Sequence, residues 1–477
     1  MFGNRFYEPS IAQASYLIGC QANGEAIVID ANRDVDQYLQ AATQEGLRIT
    51  RVTETHIHAD YVSGSRELAQ KTGATLYLSD EGDADWKYAF INEGQPLHHG
   101  DRLQLGNIRV DVLHTPGHTP EHLSFLITDG AAADKPIAAV TGDFVFVGDV
   151  GRPDLLERAA NIKGTMEVAA RALWKSLQAF KANEDWLQIW PGHGAGSACG
   201  KGISAIPSST LGYERRFNWA FNVTTEADFV TRVLEGQPEP PAYFASMKRV
   251  NKAGPAILGG FTAPPRLADA KLSELLAAGA LVVDTRPDAE FAAQHVPGTL
   301  NLPLNGSFVT WAGWLVSSTE DLYLIVDDAT AARLPEVARL LALIGIDRIT
   351  GWLDTSVIAA SVGLRGTTQM TVADLRTQLS AGAVTLVDVR SANEWAGGHI
   401  PGAVHVPLGY LAERCRSLPA TKPLVMQCQS GGRSAIATSL LERLGFSGVI
   451  NLDGGYSAWA AAGLPIESAH EPQTARV

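Results

Sequence analysis

RVTETHIHADY, residues 51–61, decides the reading of the amino-terminal half. It opens as a β-branched, strand-like run and leaves the strand with His56, His58 and Asp60 at alternate positions. Side chains so spaced can converge on one point, and imidazole with carboxylate is the usual ligand chemistry of zinc and iron. Three further elements follow strand-like runs beside Gly or Pro: His118 in HTPGHTPEH, Asp143 in VTGDFVF and His193 in WPGHG. Four separate elements of this kind make a metal site the expected reading. His98, His99, His114 and His122 are expected to be structural.

Outward from that stretch, residues 1–250 carry many short runs of β-branched and aromatic residues, among them ASYLIG, EAIVID, TLYLS, IRVDVLHT, HLSFLIT and WLQIW. One long helical pattern spans about Leu155 to Lys181. Such an order predicts two sheets covered by helices. The stretch 251–267, NKAGPAILGGFTAPPRL, is rich in Gly and Pro and reads as a linker.

Beyond it the sequence repeats itself. LVVDTRPDAEFAAQHVPG from Leu281 matches TLVDVRSANEWAGGHIPG from Thr385, pairing Asp284, Arg286, Glu290 and His295 with Asp388, Arg390, Glu394 and His399 at an offset of 104. LIVDDATAARL from Leu324 matches LVMQCQSGGRS from Leu424 at an offset of 100. Two copies of about one hundred residues are too few and too long for a solenoid. They read as a duplicated α/β domain with parallel sheets, over 268–365 and 366–468, with a tail at 469–477.

The second copy carries the chemistry. Cys428 ends an apolar strand, and Gln429, Ser430, Gly431, Gly432, Arg433 and Ser434 curl into a helix start. Several N–H groups and the helix dipole then point at one place, which favours a thiolate or any bound anion. Arg433 adds charge. Four residues separate Cys428 from Arg433, one fewer than a phosphatase loop uses. The first copy has Asp328 at the matching position and lacks the glycines, so it reads as inactive: a spacer, a docking unit or a dimerisation unit.

Composition excludes other classes. The chain has 477 residues, enough for two to four domains, and a formal net charge of −13. That balance, with no Lys/Arg run, argues against nucleic acid or an anionic membrane as partner. No apolar run reaches the length of a membrane span, and the first twenty residues lack a signal-peptide pattern. The four cysteines are scattered and form no disulfide framework. A cytoplasmic location is expected, and a homo-oligomer is allowed.

The ordered set His56, His58, Asp60, His118, Asp143 and His193 resembles the metallo-β-lactamase superfamily, which implies an αββα sandwich with the metals at one edge. Two-metal members carry a His directly after the motif's Asp; here Tyr61 stands there, weakening a second site. Within the superfamily the chain looks most like persulfide dioxygenases. That resemblance implies one Fe(II) per chain, held by His56, His118 and Asp143. Two His and one carboxylate leave three open positions, as in non-haem Fe(II) oxygenases. His58, Asp60 and His193 would orient ligands or water, or hold a second ion. Arg152, Tyr61 and Cys199 are candidates for contact with substrate. Residues 366–468 resemble a rhodanese domain whose sulfur-accepting residue would be Cys428.

The fold expected is therefore an αββα metallo-β-lactamase sandwich followed by two rhodanese-like domains. The activity the resemblance implies is oxidation of a thiol persulfide by O₂ to sulfite and thiol, coupled to sulfur transfer that yields or uses thiosulfate. The alternatives are a zinc thioester hydrolase resembling glyoxalase II fused to sulfurtransferase modules, and a non-enzymatic sulfur relay.

Overall fold

A computed structural model describes residues 1–155, 157, 164–419 and 421–468. The tail at 469–477 and most of the first half of the helical pattern at 155–181 lie outside the described residues. The chain forms two compact units, Met1–Phe261 with Arg339–Gly345, and Thr262–Ala338 with Ile346–Val477.

The first unit holds two six-stranded mixed sheets. One runs in the order β1 (Phe2–Glu8), β2 (Gln13–Cys20), β3 (Glu25–Ile29), β4 (Arg48–Thr53), β5 (Thr75–Ser79), β6 (Gln95–Leu97). The other comprises β7 (Arg102–Leu105), β8 (Ile108–His114), β9 (Leu123–Asp129), β10 (Ala138–Gly142), β11 (Gln188–Pro191) and β12 (Ser209–Thr210), also in sequential order. Strand alternation builds three layers of core. Ile27 and Ile29 of β3 meet Phe125 and Ile127 of β9 and Val140 of β10 between the sheets. The alternate residues Ala26 and Val28 pack outward with Tyr38 of helix Asp36–Gln44 and Leu68 of helix Ser65–Thr72. On the far side, Leu126 and Ala139 pack against Leu173 and Leu177 of helix Met166–Phe180. Both faces of these strands are buried, which is why EAIVID reads as an unbroken apolar run. Each large side chain so buried contributes about 1.5–3 kcal/mol.

The stretch expected as a linker begins inside helix Phe244–Ala253. Asn251 is buried there; its amide donates to the carbonyls of His58 and Tyr61, and its oxygen accepts from the Ser63 N–H. The linker composition is real, but helical structure and a buried side chain extend into its first residues.

The second unit holds two parallel sheets. The first is ordered β14 (Leu300–Asn301), β13 (Leu281–Asp284), β15 (Leu322–Val326), β16 (Ile349–Asp354). The second is ordered β17 (Thr368–Met370), β21 (Val449–Leu452), β20 (Leu424–Gln427), β18 (Thr385–Asp388), β19 (Val404–His405). The repeat in sequence is thus a repeat in topology. Among the described residues no helix is long and apolar enough to cross a membrane.

Candidate metal centre and sulfur loop

The metal candidates meet at one edge of the sandwich, where the chain leaves β4, β10 and β11 and where the β8–β9 loop passes. β10 and β11 are parallel, so their ends deliver Asp143 and His193 to the same side. Gly142 has φ +49°, and a Cβ there would lie 2.5 Å from the Thr55 hydroxyl, so only glycine fits beside the site.

His56, His118 and Asp143 offer three ligand atoms within 4.8 Å of one another, all buried. Both imidazoles are pinned through Nδ1. His56 Nδ1–H donates to the Thr55 hydroxyl at 2.9 Å, and that hydroxyl donates to Asp30 Oδ2 at 2.9 Å. His118 Nδ1–H donates to the Arg152 carbonyl at 3.0 Å. Nε2 of each ring is thereby left for the centre. His56 Nε2 and both Asp143 oxygens make no hydrogen bond within the protein, an arrangement that fits a bound cation. Burial, reinforced by neighbouring histidines, holds the His56 imidazole well below its ordinary value and so neutral, as a ligand must be. Burial pushes the Asp143 carboxyl up, but His193 and His118 outweigh it and hold it low.

His58 gives Nε2 to Asp30 and leaves Nδ1 buried without a partner. Burial alone would lower it, but Asp30 Oδ1, 3.0 Å from Nε2, overrides this and lifts its pKa to about 9. Tyr61 is buried against His58, with its hydroxyl donating to the Asp30 carbonyl at 3.3 Å. Asp60, His193 and Cys199 form a second buried trio within 4.8 Å. His193 donates Nδ1–H to the Ala12 carbonyl and presents Nε2 to Asp60 at 3.1 Å and to Asp143 at 3.3 Å. Burial, with Asp143 and Asp60 alongside, pushes the Cys199 thiol well up and keeps it protonated.

Arg152 has a different place from the one its sequence position suggested. Its guanidinium is fully buried, paired through two nitrogens with Asp154 at 2.8 and 2.7 Å and bonded to the Ala198 carbonyl, so it is not open to a substrate anion. Its contribution to the site is its carbonyl. Of the histidines set aside as structural, His122 is buried, bonds Thr115 and accepts from the Asp143 N–H. His114 donates to the Pro120 carbonyl. Sequence reasoning missed three supports: Asp30, Thr55 and Glu121, whose carboxylate accepts from the Ile57 N–H between the two motif histidines at 2.8 Å. An Asp closing the apolar run EAIVID was the one available signal.

In the second unit Cys428 follows β20, a central strand, and precedes helix Gly432–Arg443. The Gly431 N–H donates to Cys428 Sγ at 3.1 Å, and the Ser434 hydroxyl lies 3.4 Å from it. Gly431 has φ +112°, a conformation that aims its amide at the sulfur and that a side chain would strain. The loop is clamped from behind by N–H groups of Tyr456 and Ser457, which donate to the carbonyls of Cys428 and Gln429. Gln429 also bonds Ser457, Ser430 is exposed, and Gly432 starts the helix. Arg433 does not point bare at the sulfur: its two terminal nitrogens hold Glu394 at 2.7 and 2.6 Å. Burial would raise the Glu394 carboxyl, but Arg433 pulls it down to about 2.

The first copy is closed differently. Asp327 caps a helical turn, Asp328–Ala331, accepting the Thr330 N–H at 2.7 Å on its side chain and the Ala331 N–H at 2.8 Å on its carbonyl. Arg333 pairs with exposed Glu336.

A structure described as a metallo-beta-lactamase from Staphylococcus aureus is 42 % identical to this chain; the alignment covers 74 % of this chain and 99 % of that one, with a TM-score of 0.66. The chain belongs to the metallo-beta-lactamase superfamily. The model of that superfamily matches residues 11–193, and the rhodanese-like domain matches twice, over 268–357 and 371–462. Superfamily relatives include a probable metallo-hydrolase of Burkholderia pseudomallei, 30 % identical over 31 % of this chain and 59 % of its own length. A hydroxyacylglutathione hydrolase of Rhodospirillum rubrum is 28 % identical over 37 % of this chain and 60 % of its own. The chain thus spans about six-tenths of the length of these two curated relatives. This chain therefore joins a metallo-beta-lactamase superfamily domain to two rhodanese-like domains.

Proposed function

We propose that the chain oxidises a low-molecular-weight thiol persulfide with O₂ at one Fe(II) and moves sulfane sulfur through Cys428. The observation that carries this reading is the pinned trio His56, His118 and Asp143 on the same chain as a cysteine loop built for sulfur. Bound there, iron would supply joint coordination of a persulfide sulfur and O₂. Overall, RSSH, O₂ and H₂O become RSH, sulfite and two protons. Thr55 and the Arg152 carbonyl hold the two imidazoles in the tautomer that presents Nε2. Asp30 holds His58 through Nε2 and favours its protonated form, and Tyr61, held by the Asp30 carbonyl, puts a phenol where a second ion would need an imidazole. Buried Cys199 keeps its proton beside Asp60 and His193. In the tail, the Gly431 amide stabilises negative sulfur on Cys428, and the Ser434 hydroxyl, which gives its proton to the Gly431 carbonyl, braces that loop. Sulfite attacking the outer sulfur of Cys428–S–S⁻ would release thiosulfate and return the thiolate; the reverse reaction would charge Cys428 from thiosulfate.

Asp60, His193 and Cys199 favour a second reading, a two-metal thioester hydrolase. Protein purified without oxygen, with iron and zinc counted and O₂ uptake followed on glutathione persulfide or coenzyme A persulfide, separates the two. One iron per chain and O₂ uptake support the dioxygenase. Two zinc ions in active protein, with thioester hydrolysis and no O₂ uptake, would overturn it.

A further inference from the structure

Helix Gly432–Arg443 begins at the sulfur loop and ends on the first rhodanese-like copy. At its start, Gly431 aims its N–H at Cys428 Sγ, 3.1 Å away, and the Ser434 hydroxyl donates to the Gly431 carbonyl at 2.9 Å. Ala437 and Ser439 face nearly opposite sides of the helix, yet neither has any solvent exposure. The helix is therefore covered on two sides. Its own sheet takes one, and the first copy takes the other.

Three side chains near the far end make that second contact. Ser439 Oγ accepts the Asn301 N–H, at the end of β14, at 3.0 Å. Glu442 Oε2 lies 3.1 Å from His295 Nε2, whose Nδ1–H donates to the Phe291 carbonyl at 2.9 Å. Arg443 closes the series: one terminal nitrogen donates to the carbonyls of Ala280 at 3.1 Å and Gly298 at 2.9 Å, the other to that of Gly279 at 3.0 Å. A planar guanidinium held by three carbonyls fixes direction as well as distance. The matching helix of the first copy carries none of these groups. At the offset of 100, Ser439, Glu442 and Arg443 are matched by Arg339, Ala342 and Leu343. Only the helix that follows a cysteine loop is fastened in this way.

We infer that the first copy is the seat that positions the sulfur-loop helix, and that Arg443 is its main positioning residue. The inference rests on the reading of Cys428 as the sulfur carrier. Twelve helical residues span about 18 Å as one stiff rod. A shift where the rod is seated therefore reaches the amide that faces the sulfur, and reactive geometry is lost over about 1 Å.

The test follows thiocyanate made by the full chain from thiosulfate and cyanide, both saturating. Cys428 takes the outer sulfur of thiosulfate and sulfite leaves; cyanide then removes that sulfur as thiocyanate, and the thiolate returns. No thiocyanate from the wild type would overturn the sulfur-transfer reading and this inference with it. Given thiocyanate, Arg443→Met should lower kcat about tenfold, the scale of one hydrogen bond to a charged atom. Arg443→Lys, which keeps a donor for the carbonyls, should recover part of that loss. Ser434 and the seat both act on the Gly431 peptide, so Arg443→Met combined with Ser434→Ala should lose less than the product of the separate losses. A wild-type kcat in Arg443→Met, whatever its melting temperature, would mean that the first copy steadies the fold alone and would overturn the inference; so would losses that multiply. Should Arg443→Met not fold, Ser439→Ala takes its place. It removes the acceptor of the Asn301 N–H and should lower kcat about threefold, and an unchanged kcat there is equally decisive against the seat.

Discussion

Thr55→Val tests whether the metal centre is held by the hydrogen-bond chain behind it. The Thr55 hydroxyl takes the His56 Nδ1 proton at 2.9 Å and gives its own to Asp30 Oδ2 at 2.9 Å, in a residue with no solvent exposure. Valine has nearly the same shape and no hydroxyl. Asp30 retains the Thr55 N–H at 2.6 Å and His58 at 3.0 Å on its other oxygen, so its carboxylate stays anchored. Two buried polar atoms nevertheless lose their partners, each at about 1 kcal/mol or more, giving roughly 2 kcal/mol of lost stability. For a unit of this size that lowers Tm by roughly 4–8 °C. The imidazole is also freed to rotate or change tautomer. Loss of such support weakens metal binding by about 10–100-fold, or roughly 1.4–2.7 kcal/mol. Competition for Fe(II) against a chelator under anaerobic conditions, read alongside a melting curve, measures both. Thr55→Ser, which keeps the hydroxyl, should bind metal nearly as the wild type does. A valine variant whose metal affinity stays within about twofold of the wild type would refute the reasoning, because His56 would then be oriented by packing alone.

Three other outcomes follow from the same structure. His118→Ala and Asp143→Ala should each lose bound iron and O₂ uptake together, checked by metal analysis and an oxygen electrode; iron retained at wild-type level would place the ion elsewhere. Cys428→Ser should abolish thiosulfate:thiol transfer while Asp328→Ala leaves it intact, and given persulfide the serine variant should accumulate sulfite where the wild type yields thiosulfate. The Glu394 carboxyl is depressed from 4.5 to about 2, so its pair with Arg433 adds stability that is fully present above pH 4.5 and is lost as pH falls through 2. With both side chains partly exposed, the contribution is about 1 kcal/mol or less. Denaturation of wild type and Glu394→Gln between pH 2 and 6 should show the gap closing across that window, and a constant gap would contradict the pairing.

What the sequence made legible depended on distance along the chain. His56, His58 and Asp60 stand two residues apart, so their common loop could be read directly. The duplicated domain was legible because Asp284 to His295 recurs as Asp388 to His399, and both stretches build the same parallel core. Asp30 was not legible: it lies 25 residues before Thr55, and only the pairing of β3 with β4 brings them together. Arg152 misled for the opposite reason. Its neighbour Asp154 is two residues away and takes the guanidinium, leaving the less conspicuous backbone oxygen to hold His118. Glu394 was noticed as a repeated residue, yet its partner Arg433 lies 39 positions further on and could not be assigned from the pattern. The helical pattern from Leu155 to Lys181 was sound over Met166–Phe180, where Ala170, Leu173 and Leu177 give the buried stripe.

The helical turn at Asp328 bears on whether the first copy could be given a sulfur loop by a single substitution. In the second copy the Gly431 amide faces the sulfur; at the matching place Ala331 has already given its amide to the Asp327 carbonyl. A thiol installed by Asp328→Cys would therefore lack the amide that Gly431 gives to Cys428. Recovery would demand glycines to unwind the turn and loss of the Asp327 cap, changes of little use singly. A sulfur loop in the first copy is thus hindered by the shape of this turn as well as by the missing cysteine.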